Sequence, residues 1–120
     1  VESIEPTLTE EDGIVLIARQ ADFLPDIVKG IAFGLKPKFP NLVFVIGSAV
    51  GGKPALTVML GDEIVSRGVD ASKVVREAAK EISGGGGGQP FYATAGGKDA
   101  AGIEKAIFRA VELIKTQLKR

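Results

Sequence analysis

The chain has 120 residues, 45% apolar and 25% charged, which are the values of a single ordinary globular domain rather than a disordered segment. It contains no histidine and no cysteine, which excludes disulfides, thiolate chemistry and every Ser-His or Cys-His arrangement, and removes the commonest general base and metal ligand. Fifteen Lys and Arg balance fifteen Asp and Glu, but residues 1–12 hold five of the acids and no base, so residues 13–120 carry 15 bases against 10 acids, a net of +5.

Residues 1–12 lack apolar periodicity and include Pro6. They read as a linker from an upstream helical segment, and a start at Val1 is expected of a piece of a longer protein. Ile14-Val15-Leu16-Ile17-Ala18 is apolar, too short for a helix and rich in β-branched residues, hence a first strand. Asp22 is a suitable N-cap for a helix with Pro25 in its first turn. Leu24, Ile27, Val28, Ile31 and Leu35 give that helix a buried stripe, and Lys36-Pro37 ends it. Gly30 and Gly34, four residues apart, would let it approach a sheet closely.

Leu42–Ile46 is continuously apolar and predicts a central strand covered on both faces. The short Val50–Lys53 connection predicts a hairpin to a strand over Ala55–Leu60. Asp62–Gly68 reads as a turn or short helix. Asp70 or Ser72 caps a helix that buries Val74, Val75, Ala78, Ala79 and Ile82 and turns Arg76, Glu77, Lys80 and Glu81 to water. Phe91–Ala95 is a fourth strand, and Asp99 caps a last helix with Ile103, Ala106, Ile107, Ala110, Ile114 and Leu118 on its core face. The order β-α-β-β-α-β-α predicts one small α/β domain, a mixed four-stranded sheet with packed helices.

Glycine is the anomaly. Eight of the 16 glycines fall between Gly84 and Gly102. Five in a row, Gly84–Gly88, cost chain entropy that a plain connector would not spend. Two readings remain open: a sterically crowded turn, or a loop whose successive N–H groups form an anion nest. Thr94 and Lys98 stand just downstream. Gly96-Gly97, leading into the Asp99-capped helix, suggests a second set of N–H donors. The nest reading expects a valine at Gly86 to cost ligand affinity more than stability. A Walker loop is excluded, because Gly97-Lys98 is followed by Asp99. A dinucleotide fingerprint is excluded too, because the run joins a helix to a strand.

From Gly84 to Gly97 the sequence reads Gly-Gly-Gly-Gly-Gly-Gln-Pro-Phe-Tyr-Ala-Thr-Ala-Gly-Gly. This resembles the C-terminal signature of the alanyl-tRNA synthetases: a glycine run, a polar residue, a proline, then Ala-x-Ala-Gly-Gly. The domain is of the DHHA1 type shared with DHH-family phosphoesterases, and the likeness covers about residues 13–120. Where many relatives carry Asp-Met-Ala-Gln-Ala after the proline, this chain has Phe91-Tyr92-Ala93-Thr94-Ala95.

The resemblance implies a noncatalytic, cytoplasmic, tRNA-binding domain that helps position alanine-specific tRNA for aminoacylation and editing domains upstream. ATP, magnesium and zinc would belong to the full-length ligase, and the upstream segment would support a homodimer. It further implies tRNA or phosphate contacts at Gly84, Gly85, Gly86, Gly87, Gly88, Gln89, Thr94, Gly96, Gly97, Lys98 and Lys53. Two alternatives stand beside it. One is the substrate-binding half of a DHH phosphoesterase, whose glycines precede a histidine absent here. The other is a structural oligomerisation domain.

Other chemistry is sparse. Asp62-Glu63 is an acidic pair with no evident third metal ligand. Phe91 and Tyr92 offer rings for base stacking, though strand alternation would put only one of them on an open face. Lys29, Lys36, Lys38 and Lys53 fall between Ile27 and Gly61 with no acid among them. The Lys115, Lys119 and Arg120 end suits a helix C-terminus. No apolar run reaches the roughly 18 residues of a membrane span.

Overall fold

The computed structural model describes residues 9–11, 14–20, 25–50 and 52–118. In chain order the strands are β1 (Thr9–Glu11), β2 (Ile14–Gln20), β3 (Leu42–Val50), β4 (Lys53–Leu60), β5 (Gly85–Gly88) and β6 (Tyr92–Gly96). The helices are α1 (Pro25–Leu35), α2 (Asp62–Ser66), α3 (Ala71–Ala78) and α4 (Ile103–Leu118). Short 3-10 segments, Ala79–Ile82 and Ala100–Gly102, extend α3 and precede α4.

The strands form one mixed sheet in the order β1-β2-β3-β4-β6-β5. Only β2 and β3 are parallel, joined through α1; every other pair is antiparallel. The expected class and element order hold, with a correction to the strand count: the described residues carry six strands rather than four. Both additions lie at the sheet's edges. Thr9–Glu11, in the segment read as a linker, pairs with β2, and four glycines read as a loop pair with β6.

The continuous apolar run of β3 follows from its position, since helices cover both faces of the sheet. Val43, Val45, Leu56, Val58, Leu60, Ala93 and Ala95 pack against α3 and α4. Leu42, Phe44, Ile46, Met59 and Ile17 pack on the opposite face with Val28 and Ala32 of α1. From Leu42 to Ile46 no side chain is more than 1% exposed. Asp70 caps α3 by accepting a hydrogen bond from the Ser72 amide at 2.9 Å, and Asp99 accepts from the Ala101 amide at 3.1 Å.

Helix α1 departs from its expected stripe. Ile27 is 49% exposed. Gly30 and Gly34 are also exposed, with nothing within 4 Å of a Cβ built on either, so they do not mediate close packing on the sheet. Asp22 and Leu24 lie outside the described residues, as does the Leu118 side chain.

Candidate nucleic-acid interface

The glycine run begins where the 3-10 segment after α3 ends. Ser83 takes a left-handed conformation (φ 54°), and the Gly84 amide donates to the Ala79 carbonyl at 3.0 Å. This reverses the chain into β5. A two-residue turn, Pro90-Phe91, then leads back along β6: the Gln89 amide donates to the Tyr92 carbonyl at 2.7 Å and the Tyr92 amide to the Gln89 carbonyl at 3.3 Å.

From that doubly bonded pair the ladder alternates. With Gly87 opposite Thr94 and Gly85 opposite Gly96, the amides of Gly86 and Gly88 point away from β6. They lie on an edge that no other strand among the described residues pairs with. A nest needs successive N–H groups to converge; an extended strand presents every second one. The run is therefore a glycine edge strand and not a nest.

Alternate glycines of the run have different reasons to be glycine. A Cβ at Gly84 would run into the Gly96 carbonyl oxygen, and one at Gly86 into the Thr94 carbonyl oxygen and Ala95. A Cβ at Gly88 would stand 2.6 Å from the Tyr92 oxygen. These three positions are crowded by β6 itself. A Cβ at Gly85, by contrast, would have nothing within 4 Å, and the nearest atoms to one at Gly87 are Ser72 Oγ at 3.7 Å and the Arg76 guanidinium at 3.8 Å.

The other expected site residues divide between the two ends of this hairpin. Register puts Ala55 opposite Gly96 and Gly96 opposite Gly85, and the Gly97 amide donates to the Pro54 carbonyl at 3.1 Å. Lys53, Gly85, Gly96, Gly97 and Lys98 thus share one end. Gly88 and Gln89 lie at the other, three residues or about 10 Å along the strand. Thr94 is exposed in the middle of β6. The second set of donors expected around Gly96-Gly97 is not available. The amides of Lys98 and Asp99 both donate to the Ile82 carbonyl, at 2.8 and 3.0 Å, and Gly97 donates to Pro54.

Lys38, Lys53 and Lys98 are exposed and form no ion pair among the described residues. Lys36 differs: its Nζ is 2.8 Å from Asp62 Oδ1, and its side chain is only 22% exposed. Glu63 pairs loosely with Arg67 at 3.4 Å, so the acidic pair serves separate cations. No group of three potential metal ligands occurs among the described residues.

Sequence reading missed Arg76. It sits on the α3 face turned to solvent, but β5 runs alongside that face, so its guanidinium lies against Gly87 without an ion-pair partner among the described residues. The signal was absent because the neighbouring strand was itself not foreseen. Phe91 was misplaced as well. It occupies the hairpin turn, so strand alternation does not separate it from Tyr92, and both rings meet Phe33 of α1.

The family model described as the DHHA1 domain matches residues 12–119. The chain belongs to the DHHA1 domain family. Among curated relatives, the alanine–tRNA ligase of Bacteroides thetaiotaomicron is 48% identical over 113 residues, and that of Cytophaga hutchinsonii 44% over 109. These matches take in 93% and 88% of this chain but 13% and 12% of the relatives, so the chain spans about an eighth of their length. Among solved structures, the C-Ala domain from Aquifex aeolicus alanyl-tRNA synthetase superposes with a TM-score of 0.70 at 29% identity, over 89% of this DHHA1 domain and 93% of the other chain. No helix among the described residues is long and apolar enough to cross a membrane.

Proposed function

We propose that this DHHA1 domain is the noncatalytic, tRNA-binding C-terminal part of a cytoplasmic alanine–tRNA ligase. The observation that carries the reading is the identity, 48% over 113 residues, to the corresponding stretch of an alanine–tRNA ligase. The geometry agrees with it chemically. A side-chain-free edge with outward amides lies beside Arg76, and Lys53 and Lys98 flank one end of it. Backbone amides, guanidinium and ammonium groups are the donors that hold phosphates in register without reading sequence.

Within this proposal the phosphate contacts fall on the edge amides of Gly86 and Gly88, on the open surface of Gly85 and Gly87, on Gln89 and Thr94, and on Lys53 and Lys98. Gly84 and Gly97 shape the backbone, since a Cβ at either would run into the Gly96 or the Ile82 carbonyl, and exposed Gly96 adds open surface beside Lys53 and Lys98. Alanine activation, with its ATP, magnesium and zinc, belongs to the rest of the ligase. The chain contains neither histidine nor cysteine, the commonest zinc ligands. Its partners are the tRNA, the upstream domains and, through the segment that precedes it, a second copy of the ligase.

The test is direct titration of alanine-specific tRNA into the domain at low salt, alongside Arg76→Glu and a Lys53→Glu/Lys98→Glu pair. Each change is expected to weaken binding about fivefold or more while leaving the urea midpoint in place, since all three side chains are exposed. Absence of wild-type binding at low salt would overturn the reading.

A further inference from the structure

Three rings meet where α1 passes the β5–β6 turn. Phe33 packs edge-on to Phe91, with centroids 6.5 Å apart and planes at 84°. It also packs tilted against Tyr92, at 5.1 Å and 57°. The cluster does not close: Phe33 remains 41% exposed, and Phe91 and Tyr92 are half-buried. Two ammonium groups lie over its rings, Lys36 Nζ at 5.2 Å from the Phe91 centroid and Lys29 Nζ at 6.0 Å from that of Phe33. Phe33, Phe91, Lys36, Asp62, Pro37 and Pro40 line an open cavity of about 350 Å3, at the small-ligand end of the usual range.

Three features narrow the occupant. The rings offer π faces and edges, which favour a flat aromatic guest. The cations favour a guest tied to negative charge, and Lys29, Lys36 and Lys38 stand in a stretch that holds no acid from Ile27 to Gly61. Lys36 is already fixed by Asp62, so little side-chain entropy is left to lose on binding. An apolar protein segment would use the rings but not the cations. A free phosphate would use the cations but not the rings. A base in its nucleotide uses both.

We infer that the Phe33–Phe91–Tyr92 corner is a nucleobase-stacking subsite for an unstacked base of an RNA loop. The base lies against Phe91 and Phe33. Asp62, 85% exposed, accepts from the amino group of the base, and Lys29, one helical turn before Phe33, meets the phosphate. The inference rests on the tRNA reading and gives that surface a second kind of contact, because the turn that carries Phe91 follows directly from the glycine strand.

The wild-type domain itself supplies the probe, since Tyr92 is its only tyrosine and gives one set of ring resonances. A short single-stranded RNA of mixed sequence is titrated in, and in parallel an abasic RNA of the same length. Upfield ring-current shifts at Tyr92 and Phe33 are expected with the base-bearing strand and not with the abasic one. In the tRNA titration, Phe33→Leu and Phe91→Leu are expected to weaken binding about fivefold or more with the salt slope unchanged. No shift at millimolar RNA, or equal shifts with the abasic strand, would overturn the subsite. So would variants that bind tRNA like a tRNA-binding wild type, and that result leaves the tRNA reading standing. Base-dependent shifts together with no binding of tRNA would instead uphold the subsite and remove the tRNA reading.

Discussion

At the scale of single residues the glycine run separates into crowded and open positions, and the two kinds predict opposite outcomes. At Gly86 any Cβ meets the Thr94 carbonyl oxygen and Ala95, and backbone cannot move aside as a flexible side chain would. Gly86→Val should therefore cost about 3 kcal/mol or more of stability, measured by urea denaturation. Gly85→Ala meets nothing within 4 Å and should change stability by about 0.5 kcal/mol or less. This reverses the expectation that valine at Gly86 acts mainly on a ligand: its affinity loss should follow the unfolded fraction. A Gly86→Val protein with a wild-type urea midpoint would show that β6 does not crowd this position. The probe for contact at the edge is Gly85 or Gly87, where a side chain would stand between ligand and backbone.

At the scale of elements, α1 carries an unexplained local cost. Two exposed glycines inside an 11-residue helix each lose roughly 1 kcal/mol relative to alanine, and a Cβ at either would have open space around it among the described residues. Gly30→Ala and Gly34→Ala are expected to stabilise the domain by about 0.5–1 kcal/mol each, raising the thermal midpoint by several degrees. A fall in midpoint would mean that this face packs on something outside the described residues. For α3 the sign is opposite. Asp70→Ala removes the acceptor of the Ser72 amide and should cost about 1 kcal/mol.

What the sequence disclosed about these elements follows from side-chain pattern. β2, β3, β4 and β6, and the stripes of α3 and α4, were legible because their apolar spacing reports burial. β5 was not, because glycine has no side chain whose alternation could mark a strand. β1 was not, because Thr9-Glu10-Glu11 is a three-residue polar edge with no apolar pattern of its own. The candidate site inherits that gap. The glycines and Lys53 and Lys98 were visible in sequence, but Arg76 and Phe33 join them only because β5 runs along α3 and its turn reaches α1.

At the scale of the whole molecule, zero net charge conceals a surface suited to polyanions. The five acids of residues 1–12 lie in one stretch at the start of the chain, whereas residues 13–120 carry the net of +5. Binding through phosphate contacts releases counterions, so the logarithm of affinity should fall linearly with the logarithm of salt, by about 0.7–0.9 per phosphate neutralised. Stacking releases none. The two kinds of contact are thus separable on one plot. Lys53→Glu with Lys98→Glu should lower affinity and flatten the slope by about one to two units, whereas Phe91→Leu should lower the line and leave it parallel. The measurement is tRNA affinity for each variant between 50 and 200 mM salt. Equal wild-type affinity at both ends would refute the phosphate contacts altogether. An unchanged slope in the double lysine variant would move them away from the Gly96–Lys98 end, towards Arg76 and the turn.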